Sequence, residues 1–65
     1  MTENGKKIVW KLLEDLGGCK YLYKSTVIGG IKTCIENYGM EKPVETNDEI
    51  VEEVFRILRW RDENK

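Results

Sequence analysis

Apolar residues return at three- and four-residue steps in three stretches of this chain, the spacing of helices with one buried face. The clearest stretch runs from Thr46 to Asp62, where Ile50, Val51, Val54, Phe55, Ile57 and Leu58 share a face. Its start is legible as well. Thr46-Asn47-Asp48-Glu49 has the form of a capping box, in which the Thr46 hydroxyl accepts from the Glu49 amide and the Glu49 carboxylate reaches back. Asp48, Glu49, Glu52 and Glu53 crowd the first turns, while Arg56, Arg59 and Arg61 crowd the last, an order that complements the helix dipole at both ends. Glu52 and Arg56 stand four apart, a favourable spacing for a pair. The pattern predicts a helix from Asn47 to Asp62.

Near the N-terminus, Ile8, Val9, Leu12, Leu13 and Leu16 form a second stripe, with Lys7, Lys11 and Glu14 on the other side. A helix from Asn4 to Leu16 follows, with Asn4 as its N-cap and Gly17-Gly18 as a left-handed stop. Between the two lies a stretch that reads two ways. As a helix from Tyr21 to Tyr38, it aligns Tyr23, Val27, Ile31, Cys34, Ile35 and Tyr38, and Gly39 ends it. As strands, its β-branched and aromatic residues flank Gly29-Gly30, a two-residue hairpin turn.

The helical stripe is the cleaner pattern, although each interior glycine costs about 1 kcal/mol against alanine. Close approach of another helix at Gly29 and Gly30 would offset that cost. The expected fold is therefore all-α, a compact three-helix domain. The alternative is α+β: helix, β-hairpin, helix, with the turn at Gly29-Gly30. In either case the core draws on Leu12, Leu13, Leu16, Ile31, Ile35, Val51, Val54, Phe55 and Leu58. Met40 to Glu45 is a linker, in which Pro43 bars helix continuation.

Composition narrows the function classes. Sixty-five residues make one domain with a thin core, since a chain of this size buries only roughly 60% of its unfolded surface. Domains this small often gain stability by associating with themselves or with a partner, so a homodimer is one expectation. With 40% hydrophobic and 35% charged residues the chain falls among globular sequences. No segment approaches the ~20 apolar residues that span a bilayer, and Met1 to Gly5 lacks a signal-peptide core. The expectation is a cytoplasmic protein with no membrane contact. Cys19 and Cys34 are too few for a disulfide scaffold and wrongly spaced for a four-ligand zinc site. They read as reduced thiols, Cys34 buried.

Histidine is absent from the chain. That removes the commonest general base, the commonest zinc ligand and every Ser-His or Cys-His nucleophile. So short a chain also has little room to shield a pair of catalytic acids from water. The expectation is a non-enzymatic protein with no cofactor and no metal.

The net charge of −1 conceals an uneven distribution: lysines dominate residues 1–32, acids dominate 33–55, and the C-terminal segment turns basic again. The acidic strip would suit a basic surface on another protein. Trp10 sits beside its apolar stripe rather than within it, and Trp60 stands among three arginines. Tryptophan and arginine are enriched among residues that anchor interfaces. Trp10, Trp60, Arg56, Arg59, Glu49, Glu52 and Glu53 are thus the candidate partner-binding residues. A stack of Trp60 on Arg56 or Arg59 is a further expectation.

The alternative function is a small dimeric DNA-binding regulator. Its candidate patch is Lys20, Tyr21, Tyr23, Lys24, Ser25 and Thr26, basic, aromatic and hydroxyl residues where a helix start could meet phosphate. An acidic balance, with a pI near 5.4, ranks nucleic acid below a protein partner. The run Leu12-Leu13-Glu14-Asp15-Leu16-Gly17, followed by Lys20-Tyr21-Leu22-Tyr23, resembles the opening helices of the effector domain of sporulation response regulators. The resemblance spans about a dozen residues and implies a wholly helical, DNA-binding domain. Beyond it the chain departs into the acidic Glu41 to Glu53 run, so no functional residue is carried across. The leading expectation is a protein–protein interaction module, a small intracellular regulator or inhibitor.

Overall fold

A computed structural model of the chain describes residues 1–18 and 22–63. It contains three helices: α1, Glu3–Leu16; α2, Lys24–Glu36; and α3, Asn47–Glu63. The middle stretch is helical and the hairpin is excluded, with Gly29 and Gly30 lying inside α2. Packing resolves the ambiguity. A β-carbon on Gly30 would lie 2.5 Å from Leu12 Cδ2 and 3.5 Å from Leu16 Cδ1, so this glycine lets α1 approach closely. Gly29 gives no such return, because a β-carbon there would meet nothing within 4 Å.

The core is formed by Ile8, Val9, Leu12 and Leu13 of α1, Val27, Ile31 and Cys34 of α2, and Ile50, Val51 and Val54 of α3. Fully burying an aliphatic side chain such as Ile8 or Leu12 contributes about 1.5–3 kcal/mol. The predicted core is displaced by about one turn: Leu16, Ile35, Phe55 and Leu58 only pack against its edge. The three helix starts and ends differ in how well local sequence anticipates them. Thr2, not Asn4, caps α1, its hydroxyl accepting from the Gly5 amide at 3.2 Å. The Asn4 amide instead donates to Glu41 at 3.0 Å.

The expected left-handed stop at Gly17-Gly18 is also absent, since Gly17 keeps right-handed dihedrals. After α2, Gly39 does adopt a left-handed φ of 67°. The Tyr38 and Met40 amides there return to the Thr33 and Cys34 carbonyls at 3.3 and 3.1 Å. The capping box of α3 forms as expected: the Glu49 amide donates to the Thr46 hydroxyl at 3.2 Å, and the Thr46 amide to the Glu49 carboxylate at 3.4 Å.

Helices α1 and α3 run in the same sense, held at both ends by contacts distant in sequence. At the start, the Thr2 amide and hydroxyl donate to the Glu45 carboxylate at 2.6 and 2.7 Å. Gly5 accommodates that carboxylate, because a β-carbon there would fall 2.5 Å from Glu45 Oε1. These Thr2 bonds hold the Glu45 carboxyl below its ordinary pKa. At the far end, Arg61 of α3 lies beside Gly17, where a β-carbon would be 3.7 Å from its Nη1. The last turn of α1 has no basic residue of its own. A carboxylate at its start and a guanidinium at its end both suit the α1 dipole.

Candidate protein-docking surface

The outer side of α3 carries most of the predicted partner-binding residues. Glu49, Glu53, Arg56 and Trp60 recur at four-, three- and four-residue steps, which sets them on one stripe. Glu49, Glu52, Glu53 and Arg56 line an open groove together with Met1, Thr2, Val44 and Glu45. The groove is apolar as well as acidic, for Val44 is 83% exposed and Met1 47%. Neither residue is marked by sequence pattern, since one precedes α1 and the other sits in the linker. The Thr2–Glu45 bonds bring both to the start of α3.

The Arg56 guanidinium is bonded to Glu53, three residues back, and not to Glu52 as the spacing implied. That carboxylate raises the Arg56 pKa further. Glu52 is exposed and makes no ion pair among the described residues. Arg59 is exposed one turn further on, and Trp60 beside it is 59% exposed.

Trp10 stands apart from this groove, on α1, and is 55% exposed. Its ring meets a cation, the Arg61 guanidinium, 5.8 Å from the centroid. This cation–aromatic pair between Trp10 and Arg61 joins residues far apart in sequence. Around Trp10 lie Glu3, Lys6, Lys7, Lys11 and Glu14, with Met40 at the edge. Lys11 is engaged twice: its ammonium is 3.6 Å from Asp15 and 4.9 Å from the centre of the exposed Tyr38 ring.

The nucleic-acid patch is only partly represented. Lys20 and Tyr21 lie outside the described residues, as does Cys19, one of the two expected reduced thiols. Tyr23, Ser25 and Thr26 are exposed at the start of α2, which has no side-chain cap. Lys24 is paired with Asp48 of α3 at 2.9 Å. The patch therefore adjoins the acidic start of α3, which opposes phosphate binding.

Cys34 is buried and unbridged. Burial pushes its thiol up, Asp15 adds to the shift, and Lys11 opposes it. Among the described residues no cluster of His, Cys, Asp or Glu could hold a metal ion. No described helix is long and apolar enough to cross a membrane. In comparisons with known proteins, the chain matches no family model, no curated protein and no solved structure.

Proposed function

We propose that this chain is a non-enzymatic docking module, a small regulator or inhibitor that binds a basic partner protein through the outer face of α3. One observation carries the proposal: Glu45, Glu49, Glu52 and Glu53 surround a single groove that also exposes Met1 and Val44. Acidic rims steer a basic partner and fix its orientation, while exposed apolar side chains supply area to bury. Trp60 continues the same stripe one turn beyond Arg56 and would anchor the far end of the interface. The cytoplasm is the setting proposed for it, where a free thiol such as that of Cys34 persists.

The test is affinity capture from a host lysate, with and without nuclease treatment, comparing the wild-type chain with Glu52→Lys/Glu53→Lys and with Trp60→Ala. Basic proteins retained by the wild type and lost with both variants are the expected result. Equal retention by all three would remove the α3 face from consideration. Partners that vanish on nuclease treatment alone would return attention to the start of α2.

A further inference from the structure

The charges of α1 and α3 change sign in opposite order along two helices that run in the same sense. On α1 the first half carries Lys6 and Lys7 beside Glu3, and the second half Glu14 and Asp15 beside Lys11, one net positive charge followed by one net negative. On α3 the first half is acidic, with Asp48, Glu49, Glu52 and Glu53, and the second half carries Arg56, Arg59 and Arg61 ahead of a closing Asp62 and Glu63. Contacts at both ends, Thr2 with Glu45 and Gly17 with Arg61, set the two helices side by side in the same sense. Within one chain part of this charge is paired, Lys11 with Asp15, Glu53 with Arg56, and Asp48 with Lys24 of α2. Lys6, Lys7, Glu14, Glu52 and Arg59 make no ion pair among the described residues.

We propose that the α1–α3 face docks on the same face of a second copy of this chain, forming a two-fold dimer. The inference rests on the docking role given to α3 above and names an occupant for it. A two-fold axis parallel to the helices places α1 of one copy against α3 of the other, twice. Lys6 and Lys7 then stand level with Glu52 and Glu53 of the second copy, and Glu14 level with its Arg56 and Arg59. A two-fold axis across the helices would instead lay α1 on α1 and α3 on α3 in opposite senses, an arrangement whose charge-reversed variants would not fully complement each other in a mixture. Trp10 and Trp60, both more than half exposed, supply the apolar area that the charges orient. An interface of this kind is closed and self-complementary, so assembly stops at two. A net charge of −1 adds little repulsion between copies.

Sedimentation equilibrium of the full chain tests it, with Lys6→Glu/Lys7→Glu and Glu52→Lys/Glu53→Lys as partners in a charge swap. Glu49 is left intact because it closes the capping box of α3. The expected result is a wild-type dimer that weakens with salt, two monomeric variants, and recovery of dimer mass in their equimolar mixture. A monomeric wild type at every soluble concentration overturns the proposal. So does a dimer that survives in either variant, or a mixture that stays monomeric while both variants keep wild-type helicity. If a reversed variant loses helicity, Lys6→Gln/Lys7→Gln or Glu52→Gln/Glu53→Gln takes its place, with a weakened dimer expected and an unchanged one contradicting. A monomeric wild type that still binds an arginine-rich peptide would overturn the dimer alone; one that binds none would overturn the basic-partner role with it.

Discussion

Two adjacent glycines of α2 should respond to the same substitution with opposite signs. Each occupies a helix interior, where alanine is favoured by about 1 kcal/mol because it restricts the unfolded backbone. At Gly29 the added methyl meets nothing within 4 Å. Gly29→Ala should therefore stabilise by about 1 kcal/mol, or roughly 4–8 °C in Tm for a domain of this size. At Gly30 the same methyl would lie 2.5 Å from Leu12 Cδ2. Leu12 is 1% exposed and cannot swing into solvent, so the core must shift to admit it. Overpacking costs about 1–3 kcal/mol. Set against the propensity gain, Gly30→Ala should range from neutral to about 2 kcal/mol destabilising. Urea unfolding followed by far-UV circular dichroism, at one fixed protein concentration, measures both. Equal stabilisation by the two substitutions would refute the close approach of α1 at Gly30, and destabilisation by Gly29→Ala would refute its open side.

Three further outcomes follow from the contacts around the helix ends and the core. Thr46→Ala removes the hydroxyl of the α3 capping box and should cost about 1 kcal/mol in urea unfolding; an unchanged midpoint would mean that the box contributes nothing. Glu45 is held below its ordinary pKa by Thr2, so its contribution is fully present above the unfolded value and lost as pH falls through the depressed one. Wild type should exceed Glu45→Gln in Tm at neutral pH and converge with it in strong acid; a constant gap across that range would contradict the Thr2–Glu45 bond. In a Cys19→Ser background, Cys34 should react with a thiol reagent only as fast as the chain opens, because its thiol is buried and raised in pKa. Rapid modification of the folded chain would place Cys34 outside the core.

Elements governed by neighbours in sequence were legible, and those governed by distant contacts were not. Helix α3 could be read whole because its capping box, dipole-ordered charges and apolar stripe all act within four residues of one another. The start of α1 was misplaced because two residues compete to cap it, and Asn4 is drawn away by Glu41 across the fold. In α2 the β-branched run and paired glycines argue locally for strands, and the contact of Gly30 with Leu12 outweighs them. The candidate surface followed the same division. The stripe of Glu49, Glu53, Arg56 and Trp60 is visible as spacing. That Met1, Val44 and Glu45 complete the groove depends on the Thr2 bonds, which no spacing encodes. Arg61 covering Trp10 was missed for the same reason.

The central claim, that the outer face of α3 takes a basic partner, is tested most directly by calorimetric titration of a lysine- and arginine-rich amphipathic peptide into the wild-type chain and into Glu52→Lys/Glu53→Lys. The account predicts saturable binding to the wild type that weakens as salt is raised, and loss of at least tenfold in affinity with the charge-reversed chain. Equal affinity for both chains, or no binding to the wild type at a concentration where it is monomeric, would contradict it.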